Sequence, residues 1–157
     1  MTTEFITTDE INDETLARAG EIIRRGGLVV FPTETVYGLG ANALDAEAAK
    51  KVYAAKGRPS DNPLITHIAA PEDADKYAVT NETYRRLARA FMPGPLTVIL
   101  PKRDCIPLAT TGGLDSVGIR CPENKIARRL IAAAGVPIRI ITSPPYSSAY
   151  GPGDKIT

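Results

Sequence analysis

Lys56-Gly57-Arg58-Pro59-Ser60-Asp61-Asn62-Pro63-Leu64 decides how this chain is read, because a helical stretch ends within it and a strand begins. Upstream, Asp45 is a good N-cap for a helix through Ala49, Val52, Tyr53 and Ala55. Gly57 stands where a helix C-terminus calls for a left-handed residue. Downstream, Pro63 to Ala69 reads as a strand. The polar loop between them sets Lys56 and Arg58 around a glycine, an arrangement suited to cradling an anion. Solvated cations complementing a helix C-terminus are the plainer alternative, and spacing alone favours it.

Working outward, Asn12 to Arg25 carries Leu16, Ala19, Ile22 and Ile23 at helical spacing and stops at Gly26-Gly27. Leu28 to Phe31 is a short apolar run cut off by Pro32, which predicts a strand buried on both faces. After Asn62-Pro63-Leu64 the alternation continues. Thr83 to Phe91 reads as a helix, Leu96 to Leu100 as a strand, Asp115 to Cys121 as a strand, Glu123 to Ala134 as a helix closed by Gly135, and Val136 to Thr142 as a strand. Helices alternating with strands, without a long strand-only block, predict an α/β domain around a mixed sheet. No repeat or linker divides residues 1–157, so a single domain is expected, with the turn-rich stretch 144–157 as an irregular tail.

With 157 residues the chain is long enough to bury a core without staples. Its 19 basic and 18 acidic residues nearly cancel, so RNA would have to be held by a local basic patch rather than by a global field. Two cysteines and one histidine fall short of a zinc ligand set, so no metal-binding residues are expected in the chain. The N-terminus lacks a signal pattern, and no apolar run approaches the roughly 18 residues of a membrane span, which predicts a cytoplasmic protein. Neither a GxxxxGK[ST] loop nor a GxGxxG fingerprint occurs, so the two commonest nucleotide-binding folds lack support.

A second run, Phe31-Pro32-Thr33-Glu34-Thr35-Val36-Tyr37-Gly38-Leu39-Gly40, alternates hydroxyls with other side chains. On an extended segment Thr33, Thr35 and Tyr37 would face one side and could line a pocket for a small polar ligand. A polar strand edge or turn explains the same pattern. His67 sits on a predicted strand, where a satisfied structural histidine and a functional one are both open. Arg120 ends the otherwise apolar Ser116-Val117-Gly118-Ile119-Arg120. Burying it unpaired would be costly, so it should meet a carboxylate, of the protein or of a ligand.

Together these runs resemble the YrdC-like family, the threonylcarbamoyl-AMP synthases. The resemblance is carried by Phe31 to Leu39, Lys56-Gly57-Arg58-Pro59, Asn62-Pro63-Leu64, Pro93-Gly94-Pro95-Leu96-Thr97 and Val117-Gly118-Ile119-Arg120, in order, across about residues 16–137. It implies a twisted mixed sheet flanked by helices, with a concave basic cavity. It implies a nucleotidyltransferase that joins L-threonine, bicarbonate and ATP, with Mg2+ on the phosphates, into threonylcarbamoyl-AMP for N6-threonylcarbamoyladenosine in tRNA. By matched position, Thr33, Thr35, Tyr37, His67 and Arg120 fall on the threonine side. Lys56, Arg58, Asn62 and Ser143 fall on the ATP side, with Lys56 and Arg58 as the catalytic cations. Implied partners are proteins of tRNA modification, with tRNA or double-stranded RNA as a further ligand. The alternative function is a non-catalytic or impaired RNA-binding module of the same fold.

The resemblance departs at the C-terminal end. The nearest equivalent here of the family's Ser-Ala-Asn motif is Thr142-Ser143-Pro144-Pro145, with Ser148-Ala149-Tyr150 a displaced partial match, and the chain stops short of the family's usual domain length, as a frame-shifted, truncated or divergent member would. Threonine-side residues are therefore expected intact and ATP binding weakened.

Overall fold

A computed structural model describes residues 2–34, 36–57 and 63–142, the side chains of Lys56 and Thr142 excepted. Its order is α1 (Asp13–Arg24), β1 (Val29–Pro32), β2 (Tyr37–Asn42), α2 (Ala46–Lys56), β3 (Ile65–His67), α3 (Glu82–Phe91), β4 (Val98–Pro101), a single helical turn α4 (Leu108–Thr111), β5 (Ser116–Arg120), α5 (Lys125–Ala134) and β6 (Ile138–Thr142). Short 3-10 turns precede α1 at Thr8–Glu10 and α3 at Pro71–Lys76. The strands form a six-stranded sheet in the order β1-β2-β6-β3-β5-β4, with β3 parallel to β5 and the other pairs antiparallel. The α/β class and the mixed sheet are as the sequence predicts.

Local chemistry sets the helix ends. Asn12 Oδ1 accepts from Thr15 N, Asp45 Oδ1 from Glu47 N and Ala48 N, Asn81 Oδ1 from Tyr84 N, and Asn124 Oδ1 from Ala127 N. Gly57 and Gly135 close α2 and α5 in the left-handed region, at φ of 59° and 67°.

Two expectations along this stretch need correction. β1 is not buried on both faces: it is the edge of the sheet, Phe31 lies in the core, and Val30 is 62% exposed. Pro32 fits that edge, because a proline there removes no donor that a further strand would need. The segment after it is not extended either. β1 and β2 form a hairpin in which Pro32 pairs with Tyr37, and Thr33 bonds back to the Val36 carbonyl between them. β2 itself hides in the sequence because Gly38 and Gly40 are poor strand formers. Their lack of a side chain is what the packing requires. A Cβ on Gly38 would lie 2.5 Å from Ile140 Cγ2, and one on Gly40 would lie 2.5 Å from Phe31 Cε1 and 2.8 Å from Ile138 Cγ2.

The sheet is covered on both faces, and β6 shows the period of two. Ile138 and Ile140 join Leu16, Ile23, Phe31, Ala127, Leu130 and Ile131 under α1 and α5. Ile141 joins Ala41, Val52, Tyr53 and Leu64 under α2. A third cluster, including Ile68, Tyr84, Leu100, Ile106 and Ile119, fills the space beneath α3. No helix among the described residues is long and apolar enough to cross a membrane.

Candidate functional site

Parallel pairing of β3 with β5 places His67 opposite Arg120, at the C-terminal ends of both strands. The hairpin turn between β1 and β2 reaches the same place. Glu34 Oε2 lies 3.0 Å from Arg120 Nη2, with side-chain exposures of 25% and 21%. The start of α5 completes the group: Glu34 Oε1 accepts from the backbone N–H of Glu123 at 2.6 Å and of Asn124 at 3.3 Å. Residues distant in sequence are thus gathered where two parallel strands end and a helix begins, a place where sheets commonly carry function.

Arg120 does meet a carboxylate, and among the described residues it is that of Glu34. Its guanidinium is only partly used. Nε is buried without a hydrogen-bond partner, while Nη2 holds Glu34. Burial works to raise the Glu34 pKa, but the N–H groups of its own backbone, Glu123 and Asn124 and the Arg120 charge outweigh it and hold the carboxyl below its ordinary value. The Glu34 carboxyl therefore stays ionised at neutral pH.

His67 is 6% exposed, its Nδ1 lies 3.2 Å from the carbonyl oxygen of Ile65, and the backbone of Ile138 is a second hydrogen-bond partner of the ring. Burial, reinforced by the Arg120 charge, pushes its pKa down from 6.5 to about 4. Since the unfolded chain binds this proton near pH 6.5 and the folded chain only near pH 4, the stability held by the neutral ring is complete above pH 6.5. It is lost as the pH falls through that window, by roughly 3 kcal/mol in total. Melting temperatures taken from pH 7 to pH 4.5 should decline in the parent chain and decline much less in His67→Asn. Equal slopes would show that another group carries the effect.

Thr33 precedes Glu34 in the hairpin connection and Tyr37 opens β2, so the two do not share one extended row. The Thr33 hydroxyl donates to the carbonyl of Val36 and its N–H bonds the same oxygen at 3.0 Å, so Thr33 closes the hairpin turn. Tyr37 is 68% exposed at the start of β2. Thr35, Arg58, Asn62 and Ser143, and the side chain of Lys56, lie outside the described residues. Sequence reasoning missed Glu34, although it stands inside a motif quoted for its hydroxyls. The usable signal was the demand of Arg120 for a carboxylate. No cluster of His, Cys, Asp and Glu among the described residues could hold a metal ion.

A family model described as "Telomere recombination", Sua5_yciO_yrdC, matches residues 21–154. A threonylcarbamoyl-AMP synthase of Pyrococcus abyssi is 49% identical over 139 residues, which are 88% of this chain and 41% of that protein. One of Bacillus subtilis is 49% identical over 135 residues, 83% of this chain and 39% of the relative. The crystal structure of P. abyssi Sua5 complexed with L-threonine superposes with a TM-score of 0.80 at 50% identity, covering 83% of this chain and 39% of that one. The chain spans about two fifths of the length of these relatives. The family model spans most of the chain and two relatives are 49% identical to it, which places the chain in the Sua5/YciO/YrdC family.

Proposed function

We propose that this chain binds L-threonine at Arg120 and His67 and performs threonylcarbamoyl-AMP synthesis. The amine of threonine combines with bicarbonate to give a carbamate and water. A carbamate oxygen then attacks the α-phosphate of ATP, and pyrophosphate leaves. Arg120 would take the threonine carboxylate through donors that Glu34 does not use, and Thr33 would hold the turn that brings Glu34 to it. His67, neutral and buried, would add a polar wall without a competing charge. Thr35 and Tyr37 would complete the threonine side.

Lys56, Arg58, Asn62 and Ser143 would serve the nucleotide, the two cations neutralising charge that develops as pyrophosphate departs. Mg2+ enters this scheme with the nucleotide substrate, on whose phosphate oxygens it would sit. The product would serve threonylcarbamoylation of tRNA by separate modification proteins in the cytoplasm.

The observation that carries this reading is the half-used guanidinium of Arg120, held at the strand ends beside a neutral histidine. It is supported by the threonine complex of a relative at 50% identity. The test is pyrophosphate release from ATP in the presence of bicarbonate and Mg2+. Release should depend on L-threonine. Release that ignores the amino acid, or none while threonine still binds, would refute synthesis by this chain.

A further inference from the structure

Glu34 ties three segments together. Oε2 holds Arg120 at the end of β5, Oε1 accepts the N–H groups that open α5, and the backbone of Glu34 belongs to the hairpin turn. Asn124 strengthens the junction, donating through Nδ2 to the Thr33 carbonyl at 3.5 Å while its Oδ1 caps α5. The carboxylate is therefore fixed independently of Arg120.

That division of labour matters for the guanidinium. An arginine side chain loses considerable rotamer freedom when held, and a ligand that had to order it would bind more weakly by that amount. Glu34 supplies the ordering in advance. Because its second oxygen is committed to backbone amides, it cannot grip the fork in the two-pronged manner that would spend both donors of one edge. Nε is buried and unpartnered, so a ligand would meet the guanidinium at its Nη end, where no described acceptor reaches Nη1. The fork is aimed without being filled.

We propose that Glu34 is a positioning residue for threonine recognition, acting through Arg120 by fixing the orientation of its guanidinium while leaving donors for the ligand carboxylate. This rests on the reading that Arg120 meets the carboxylate of threonine. A carboxylate that merely competed for Arg120 would have the opposite effect, since removing it would tighten threonine binding.

L-threonine is titrated calorimetrically into the full chain, its Glu34→Gln variant and its Glu34→Asp variant. The 15N-resolved Nε–H signal of Arg120, identified by its absence from Arg120→Gln, is followed alongside. Losing one charge-assisted hydrogen bond to the guanidinium should weaken threonine about tenfold in Glu34→Gln. The Nε–H signal should shift and broaden as the guanidinium gains freedom. Glu34→Asp keeps the charge but shortens the reach by one methylene, so it should move both readouts the same way, and it carries the test alone if Glu34→Gln does not fold. Threonine binding that is unchanged or tighter, or an Nε–H signal that does not move, overturns the positioning role, even if the melting temperature falls. If the parent chain binds no threonine, this role and the proposed function fail together. If it binds and the variants bind equally well, the positioning role alone fails.

Discussion

Arg139→Met should melt several degrees higher than the parent chain. Arg139 lies at the centre of the sheet, paired with Ala41 on β2 and Thr66 on β3, and has no exposed surface. The period of two points it away from Ile138 and Ile140, and its Cζ sits 4.9 Å from the centroid of the Tyr53 ring in the apolar layer under α2. Nε, Nη1 and Nη2 are buried without a hydrogen bond of full geometry, Tyr53 being a polar neighbour close enough to bond weakly, and the hydroxyl of the paired Thr66 is buried without a partner. Burial pushes the pKa of Arg139 down, with Tyr53 acting against it.

The ring face offers the cation about 2 kcal/mol when desolvated. Taking a guanidinium out of water costs several kcal/mol, so desolvation wins. Replacing such a group with an apolar one of similar length typically stabilises by about 1–4 kcal/mol. At this chain length each kcal/mol moves the midpoint by about 2–4 °C. Methionine keeps the unbranched stem and leaves Tyr53 in place. A variant that melts lower would mean that the guanidinium has an acceptor in solution.

The second large effect is on binding. Arg120→Gln should weaken L-threonine on the order of 100-fold, because truncating one partner of a buried charge pair costs about 2–5 kcal/mol. It also strands the Glu34 carboxylate, which keeps the N–H groups of Glu123 and Asn124 but loses its cation. Some stability is therefore lost as well, and the binding comparison belongs at a temperature where both proteins are folded. Arg120→Lys separates charge from shape. Lysine restores the positive charge but not the planar fork, so it should recover stability better than affinity. Equal affinity in Arg120→Lys and the parent would show that the site asks only for charge.

Much of the framework is legible in the chain, for reasons that can be named. α1, α2, α3 and α5 announce themselves by a capping Asn or Asp at one end, and α2 and α5 by a left-handed glycine at the other. β5 and β6 show as apolar runs. β2 does not, because two of its residues are glycines chosen for close approach to Phe31, Ile138 and Ile140. The apolar character of Leu28 to Phe31 suggests a central strand, yet the sheet order makes it an edge. Sheet order depends on pairings that local sequence does not encode.

The site divides in the same way. The need of Arg120 for a carboxylate follows from its residue type in an apolar strand. That Glu34 answers it follows only from the hairpin, which brings residues 86 positions apart within 3.0 Å. Arg139 passed without notice because one charged residue in Ile138-Arg139-Ile140-Ile141 looks like an outward-facing position, and only the helix above it shows that no outward face exists.

The threonine site is tested most directly by titrating L-threonine and L-threoninamide, which lacks the carboxylate, into the unsubstituted chain. Saturable binding of L-threonine with no measurable binding of the amide is expected if Arg120 is the carboxylate partner. Equal binding of both, or of neither, would contradict it.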